Sequence, residues 1–211
     1  MSTAVKEQLM AAASAGDVAQ LQEFSPFRKH DISAADVQEV LGTAINATQT
    51  AVVEFLFTEF PEVQANDYAV RAAARAGSIP ILSQLQARDP SVATRQFERY
   101  TWSTPRGLRC SGSAAYFGKE DSLKYLLEKG GKPDTDAQKI GSWTSGDHPL
   151  HSALSGGYLG TARLLLDHGS SIEAVDRNGK SIAEITAHLE ARGHDRTEFT
   201  ALLSQIAKTR R

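Results

Sequence analysis

The stretch from His148 to Gly179 constrains this chain most, because it reads as one complete unit that cannot be stable alone. Leu150, Ala153 and Leu154 fall at i, i+3 and i+4. A Gly156-Gly157 break follows, then Leu159, Ala162, Leu165 and Leu166 resume the helical spacing up to a stop at Gly169. Each helix is shorter than the roughly 12–15 residues at which an isolated helix becomes marginal in water. The pair must therefore bury its shared apolar seam against other pairs of the same kind, and the 211 residues leave room for several.

Aligning on the small residue of the first helix finds equivalents at Ala12, Ala44, Ala73, Ala114, Ala153 and Thr186, separated by 32, 29, 41, 39 and 33 residues. The units span about 1–30, 31–62, 63–90, 107–134, 147–175 and 176–211, and the two widest separations hold insertions at 91–106 and 135–146. The first unit places Val5, Leu9, Ala12 and Ala13, then Val18, Leu21 and Phe24, on its seam. In the second, Ser33 is an N-cap before Val37, Val40, Leu41 and Ala44, with Val52, Val53, Leu56 and Phe57 after the turn. The third places Val70, Ala73 and Ala74, then Ile79, Leu82 and Leu85, inward. The fourth buries Leu123, Leu126 and Leu127. The chain ends in a helix capped by Asp195, with Phe199, Leu202, Leu203 and Ile206 on one stripe and a polar opposite face, as a terminal capping unit requires.

The run HPLHSALSGGYLGTARLLLDHGSSIEAVDRNGKS resembles the ankyrin repeat, whose pattern is T-P-L-H-x-A-A, a glycine, and a Val/Leu-rich second helix ending in Gly-Ala-Asp. His148 stands where that pattern has Thr, Ser170-Ser171 where it has Ala-Asp, and Cys110-Ser111-Gly112 where the fourth unit would have Pro-Leu-His. The first three units match weakly and read either as ankyrin units or as degenerate helical hairpins, with stripes that point to the same stacking. The resemblance implies an all-α ankyrin-type solenoid of about six helix-turn-helix repeats in a single domain, with short hairpin loops and two longer insertions. It also implies a concave face on which the two residues after each Ala-Ala pair, and the hairpin tips, meet a partner. The first-helix positions are Ser14 and Ala15, Asn46 and Ala47, Arg75 and Ala76, Tyr116 and Phe117, and Ser155 and Gly156.

Composition excludes several function classes. With 41% hydrophobic and 23% charged residues the chain is an ordinary foldable one, and no run of 18 apolar residues offers a membrane span. A net charge of −2 gives no general affinity for polyanions, so nucleic acid is an unfavoured partner although Arg95, Arg99, Arg106 and Arg109 alternate with Phe97, Tyr100 and Trp102. Cys110 is the single cysteine, which rules out an internal disulfide and suits a reducing compartment. The first residues, with Lys6-Glu7-Gln8, do not read as a secretory signal. Cytoplasm, or nucleus, is the expected location, and a monomer the expected state.

Catalytic motifs fare poorly. His148 and His151 stand at i and i+3 without the further ligands a zinc site needs. Gly179-Lys180-Ser181 lacks the upstream glycine of a phosphate loop, since Ala174 stands there. No Gly-x-Ser-x-Gly elbow occurs, and Cys110 has no neighbouring base in the sequence. No metal and no cofactor is expected. What remains is recognition: Arg75, Arg99, Trp102, Arg106, Tyr116, Phe117, Trp143 and Arg177 form the candidate partner-binding set, of the residue types that dominate interfaces. Their charge suits a partner protein with an acidic segment. The competing expectation is a small-ligand or catalytic groove enclosed by the two long loops, with Arg109, Cys110, Tyr116 and His151 converging in it.

Overall fold

The computed structural model describes residues 3–24, 32–95, 110–134, 148–175 and 179–209. Among them are twelve α-helices and no strand; a single bridge between Val175 and Ser181 is the only β pairing. The chain packs as two compact units, Met1–Val92 and Ala93–Arg211.

In the first unit the helices come in pairs: α1 (Thr3–Ala15) with α2 (Val18–Glu23), α3 (Ala34–Asn46) with α4 (Thr50–Glu59), and α5 (Asp67–Ala76) with α6 (Ile79–Arg88). First helices stack on first helices, α1 on α3 on α5, and second helices α2, α4 and α6 form the other row. The second unit repeats the scheme with α7 (Cys110–Tyr116), α9 (Pro149–Gly156) and α11 (Ile182–Ala191) in one row, and α8 (Glu120–Glu128), α10 (Leu159–Asp167) and α12 (Thr197–Thr209) in the other. Leu9, Leu41, Ile45, Leu56, Leu82 and Leu85 are fully buried in the first unit, and Leu123, Leu126 and Leu165 in the second. Each such side chain contributes about 1.5–3 kcal/mol by leaving water.

One turn recurs five times. Asp17, Gln49, Ser78, Lys119 and Tyr158 each donate a backbone N–H to the carbonyl of Ala12, Ala44, Ala73, Ala114 and Ala153, at 2.8–3.3 Å. These acceptors are the small residues on which the units align in sequence. A small side chain lets neighbouring first helices approach, and the same residue's carbonyl closes the turn into the second helix. The residue before the donor is Gly16, Gly77, Gly118 or Gly157, all at φ between 63 and 81°, except in the second pair, where Thr48 takes φ 58°. That region costs a β-branched residue about 1–2 kcal/mol.

The centres of the seams fall where the periodicity predicts, but Val5, Val18, Phe24, Leu159, Leu203 and Ile206, expected inward, are only half-buried at the seam margins, and one residue is turned out altogether. Ile79, expected inward, is 36% exposed, and Ile81 joins Leu82 and Leu85 in the core instead. Ile79 is the first residue of α6, and the residues at that place in α4, α8 and α10 (Thr50, Glu120 and Leu159) are likewise not buried. The first residue of a second helix thus lies outside the seam. Ser33 caps α3, accepting the Asp36 N–H at 3.1 Å. Ser181 and Glu184 form a capping box on α11, which accounts for Gly179-Lys180-Ser181 as a helix start. Asp195 accepts the Thr197 N–H at 3.0 Å, so the last helix begins two residues beyond it.

Candidate partner-binding surface

The last turn of each first helix puts its polar or aromatic end at the surface. In the first unit Ser14, Ala15 and Asn46 are exposed and Arg75 is partly so. The Arg75 guanidinium Nη2 donates to Asn46 Oδ1 at 2.6 Å, and Asn46 Nδ2 donates to the Tyr68 hydroxyl at 2.5 Å. In the second unit Tyr116 is 41% exposed at the end of α7, with the Phe117 ring edge-on to it at 5.0 Å and 71°. Ser155 and Gly156, at the same places in the next repeat, are exposed and small. A bulky aromatic step thus stands beside a low shelf. Of the residues expected to bind a partner, Arg75, Tyr116 and Phe117 lie in this setting. Arg99, Trp102, Arg106, Trp143 and Arg177 lie outside the described residues.

Two exposed tyrosines were not among the expected residues. Tyr68, in the first turn of α5, is 47% exposed, and its ring lies over Gly42 of α3, where an added Cβ would come within 2.7 Å of the ring. Tyr158, at 37%, covers two glycines: a Cβ on Gly118 would come within 2.5 Å of its ring, and one on Gly156 would come closer still. The sequence signal for both is a glycine one stacking distance away, which only the pairing of repeats makes readable.

A polar cluster links the fourth and fifth repeats. The Asp134 carboxylate meets His148 Nε2 at 3.1 Å, accepts the Ser170 hydroxyl at 2.5 Å, and accepts the Ser171 N–H at 3.1 Å. Burial pushes the Asp134 carboxyl upward, but the contacts with His148, Ser170 and Ser171 together outweigh it and hold the group below the ordinary aspartate value. The cluster has the residue types of a hydrolytic triad in the wrong order. A nucleophilic hydroxyl must donate to the imidazole, whereas here the buried Ser170 donates to the carboxylate. The arrangement fastens repeats together. His148, standing where the ankyrin pattern has Thr, makes no side-chain cap on α9 and spends its Nε2 on this clasp.

The residues of the enclosed-groove expectation are placed in different surroundings. Cys110 and His151 are buried within α7 and α9, while Tyr116 is at the surface, and Arg109 lies outside the described residues. Among the described residues no group of three or more His, Cys, Asp or Glu side chains is placed to hold a metal, and no helix is long and apolar enough to cross a membrane. Among the described residues, surface hollows lie elsewhere. One, of about 450 Å³, is lined by Pro61 to Ala65 and Arg88 to Pro90; another lies between α11 and α12 at Glu190, His194, Asp195 and Thr200.

No curated protein matches the chain. The family model described as "Ankyrin repeats (many copies)" matches residues 113–166, which run from α7 into α10 and contain the aromatic step, the low shelf, and Asp134 and His148 of the clasp. Ankyrin repeats are in general protein-protein interaction modules and typically non-catalytic. Residues 113–166 thus match the ankyrin repeat model, and the stacked helix pairs joined by one recurring turn in each unit resemble that family and support an ankyrin repeat protein.

Proposed function

We propose that this protein is a non-catalytic interaction module, acting as a monomer in the cytoplasm or nucleus, which binds a partner protein through the ends of its first helices, the concave side of an ankyrin stack, and through the loops that follow. The observation that carries this reading is Tyr116, a large aromatic side chain 41% exposed at a position whose counterpart in the next repeat is Ser155. An exposed tyrosine offers a large rigid area with few rotamers to lose, braced here by Phe117, which makes it an anchor for a partner. Trp102, Arg106 and Trp143 belong to the proposed surface by their residue type, and Arg99 and Arg177 supply charge for an acidic partner segment.

The test is affinity capture from lysate with the wild-type chain, a Tyr116→Ala/Phe117→Ala variant, and a control Lys124→Ala on the exposed side of α8. Equal helicity by circular dichroism is established first. A protein recovered by the wild type and the control but lost by the double variant supports the module. Equal recovery by all three removes Tyr116 and Phe117 from the binding surface.

A further inference from the structure

The first unit carries a directed hydrogen-bond relay that ends on the surface. Asn46 is the middle member, and its two ends look alike in shape, so its orientation is settled by its neighbours. A guanidinium can only donate, so the atom that meets Arg75 Nη2 at 2.6 Å must be the amide oxygen. The amide nitrogen then faces Tyr68 at 2.5 Å, and the phenolic oxygen must accept. The Tyr68 proton is left to point away from Asn46, and among the described residues no acceptor receives it. Each bond in such a chain polarises the next, so a positive charge at one end strengthens the hydroxyl donor at the other.

The relay is held in place. The Tyr68 ring lies on Gly42, a glycine in the interior of α3, where alanine would favour the helix yet would put a Cβ 2.7 Å from the ring. Nearby carboxylates are already engaged. Asp36 and Glu39 meet the Lys6 ammonium at 3.4 and 2.6 Å, and Asp67 has contacts of its own. The outward group is thus an oriented donor with a guanidinium behind it.

We propose that the Tyr68 hydroxyl, set by Asn46 and Arg75, is a recognition point for a carboxylate on an acidic segment of the partner protein. This rests on the interaction-module reading and adds the chemistry of the partner and a contact in the first unit. A carboxylate is the occupant because the relay presents a donor backed by positive charge, and hydrogen bonds to charged acceptors are the strong ones.

The experiment uses the full chain at low salt with two probes of equal length, acetylated hexaglutamate amide and hexaglutamine amide, read by calorimetry. Tyr68→Phe keeps the ring on Gly42, removes one oxygen and changes no charge, so it separates the hydroxyl from general electrostatics. Wild type binds hexaglutamate in preference to hexaglutamine; Tyr68→Phe weakens hexaglutamate about ten-fold, and Arg75→Gln weakens it too, with melting temperatures unchanged. Undiminished binding by Tyr68→Phe overturns the proposal, as does equal affinity for the two probes. An oligothymidylate that binds more tightly than hexaglutamate overturns the carboxylate assignment in favour of nucleic acid. If Tyr116→Ala loses the captured partner while Tyr68→Phe keeps both partner and hexaglutamate, the module stands and the relay falls.

Discussion

The two units enter their second helices in the same way and leave them differently. In Met1–Val92, α4 and α6 end on Phe60 (φ −125°, ψ 73°) and Asp89 (φ −136°, ψ 99°), both outside the helical region and each followed by proline. A proline disfavours the helical region for the residue before it, so the helix stops. At the end of α4 a side chain from the next repeat meets the exposed carbonyls: Arg88 donates to the Phe57 and Pro61 carbonyls at 3.0 and 2.5 Å, with its guanidinium 4.4 Å above the Phe57 ring. In Ala93–Arg211, α8 and α10 stop on Gly130 and Gly169 at φ 90 and 92°, and the following N–H groups of Gly131 and Ser170 return to Leu126 and Leu165 at 2.8 and 2.9 Å. A glycine exit returns the next N–H to a carbonyl of its own helix; the proline exit of α4 takes an arginine from the following repeat as well. The family match lies within the glycine-stopped unit, yet the stacked pairs and the entry turn are common to both. Stacking therefore depends on small inner residues and the turn, and the exit can be replaced.

The largest effect expected from this comparison is at Gly118. A side chain there must accept φ 63° and meet the Tyr158 ring at 2.5 Å, so Gly118→Ala should destabilise the second unit by about 2–4 kcal/mol in urea denaturation. A loss below about 1 kcal/mol would show that Tyr158 does not depend on that space. Next is Arg88→Ala, expected to cost about 1–2 kcal/mol through two unmet carbonyls and lost packing on Phe57. No loss would mean that water caps α4 as well as arginine does.

Asp134→Asn should cost about 1 kcal/mol at neutral pH, a value kept small because the carboxylate is only half-buried. Its folded-state pKa is depressed, so its stabilisation is fully present above the unfolded aspartate value near ~3.9 and is lost as pH falls through the lower folded value. The melting curves of the wild type and of the Asp134→Asn variant should therefore converge in acid once the pH falls below the depressed folded-state value, and a difference that persists there would place the effect outside the ionised carboxylate. The smallest change is a gain. Thr48→Gly removes a β-branched residue from φ 58° and should stabilise the first unit by up to about 1 kcal/mol, partly offset by backbone entropy.

Much of the fold was legible in the sequence because stacking is written in local spacing. The alignment on Ala12, Ala44, Ala73, Ala114 and Ala153 finds the five carbonyls that close the entry turns, and Val37 to Ala44, Val52 to Phe57 and Leu123 to Leu127 supply the seams expected of them. The proposed binding surface was legible only in part. Arg75, Tyr116 and Phe117 follow from their place after the Ala-Ala pair, whereas Tyr68 stands at a helix start, outside that rule.

Sequence by itself determined the helix pairs, their register and their turns, since apolar period, capping serines and turn glycines act over a few residues. Tertiary structure decided everything that joins one repeat to another. Tyr68 reaches Asn46 across 22 positions, Arg75 reaches Asn46 across 29, and Ser170 reaches Asp134 across 36. Such partners meet only once two helix pairs have stacked, because the stacking geometry, with glycine at Gly42 and Gly118 making room for a ring from the next repeat, sets which side chains face each other.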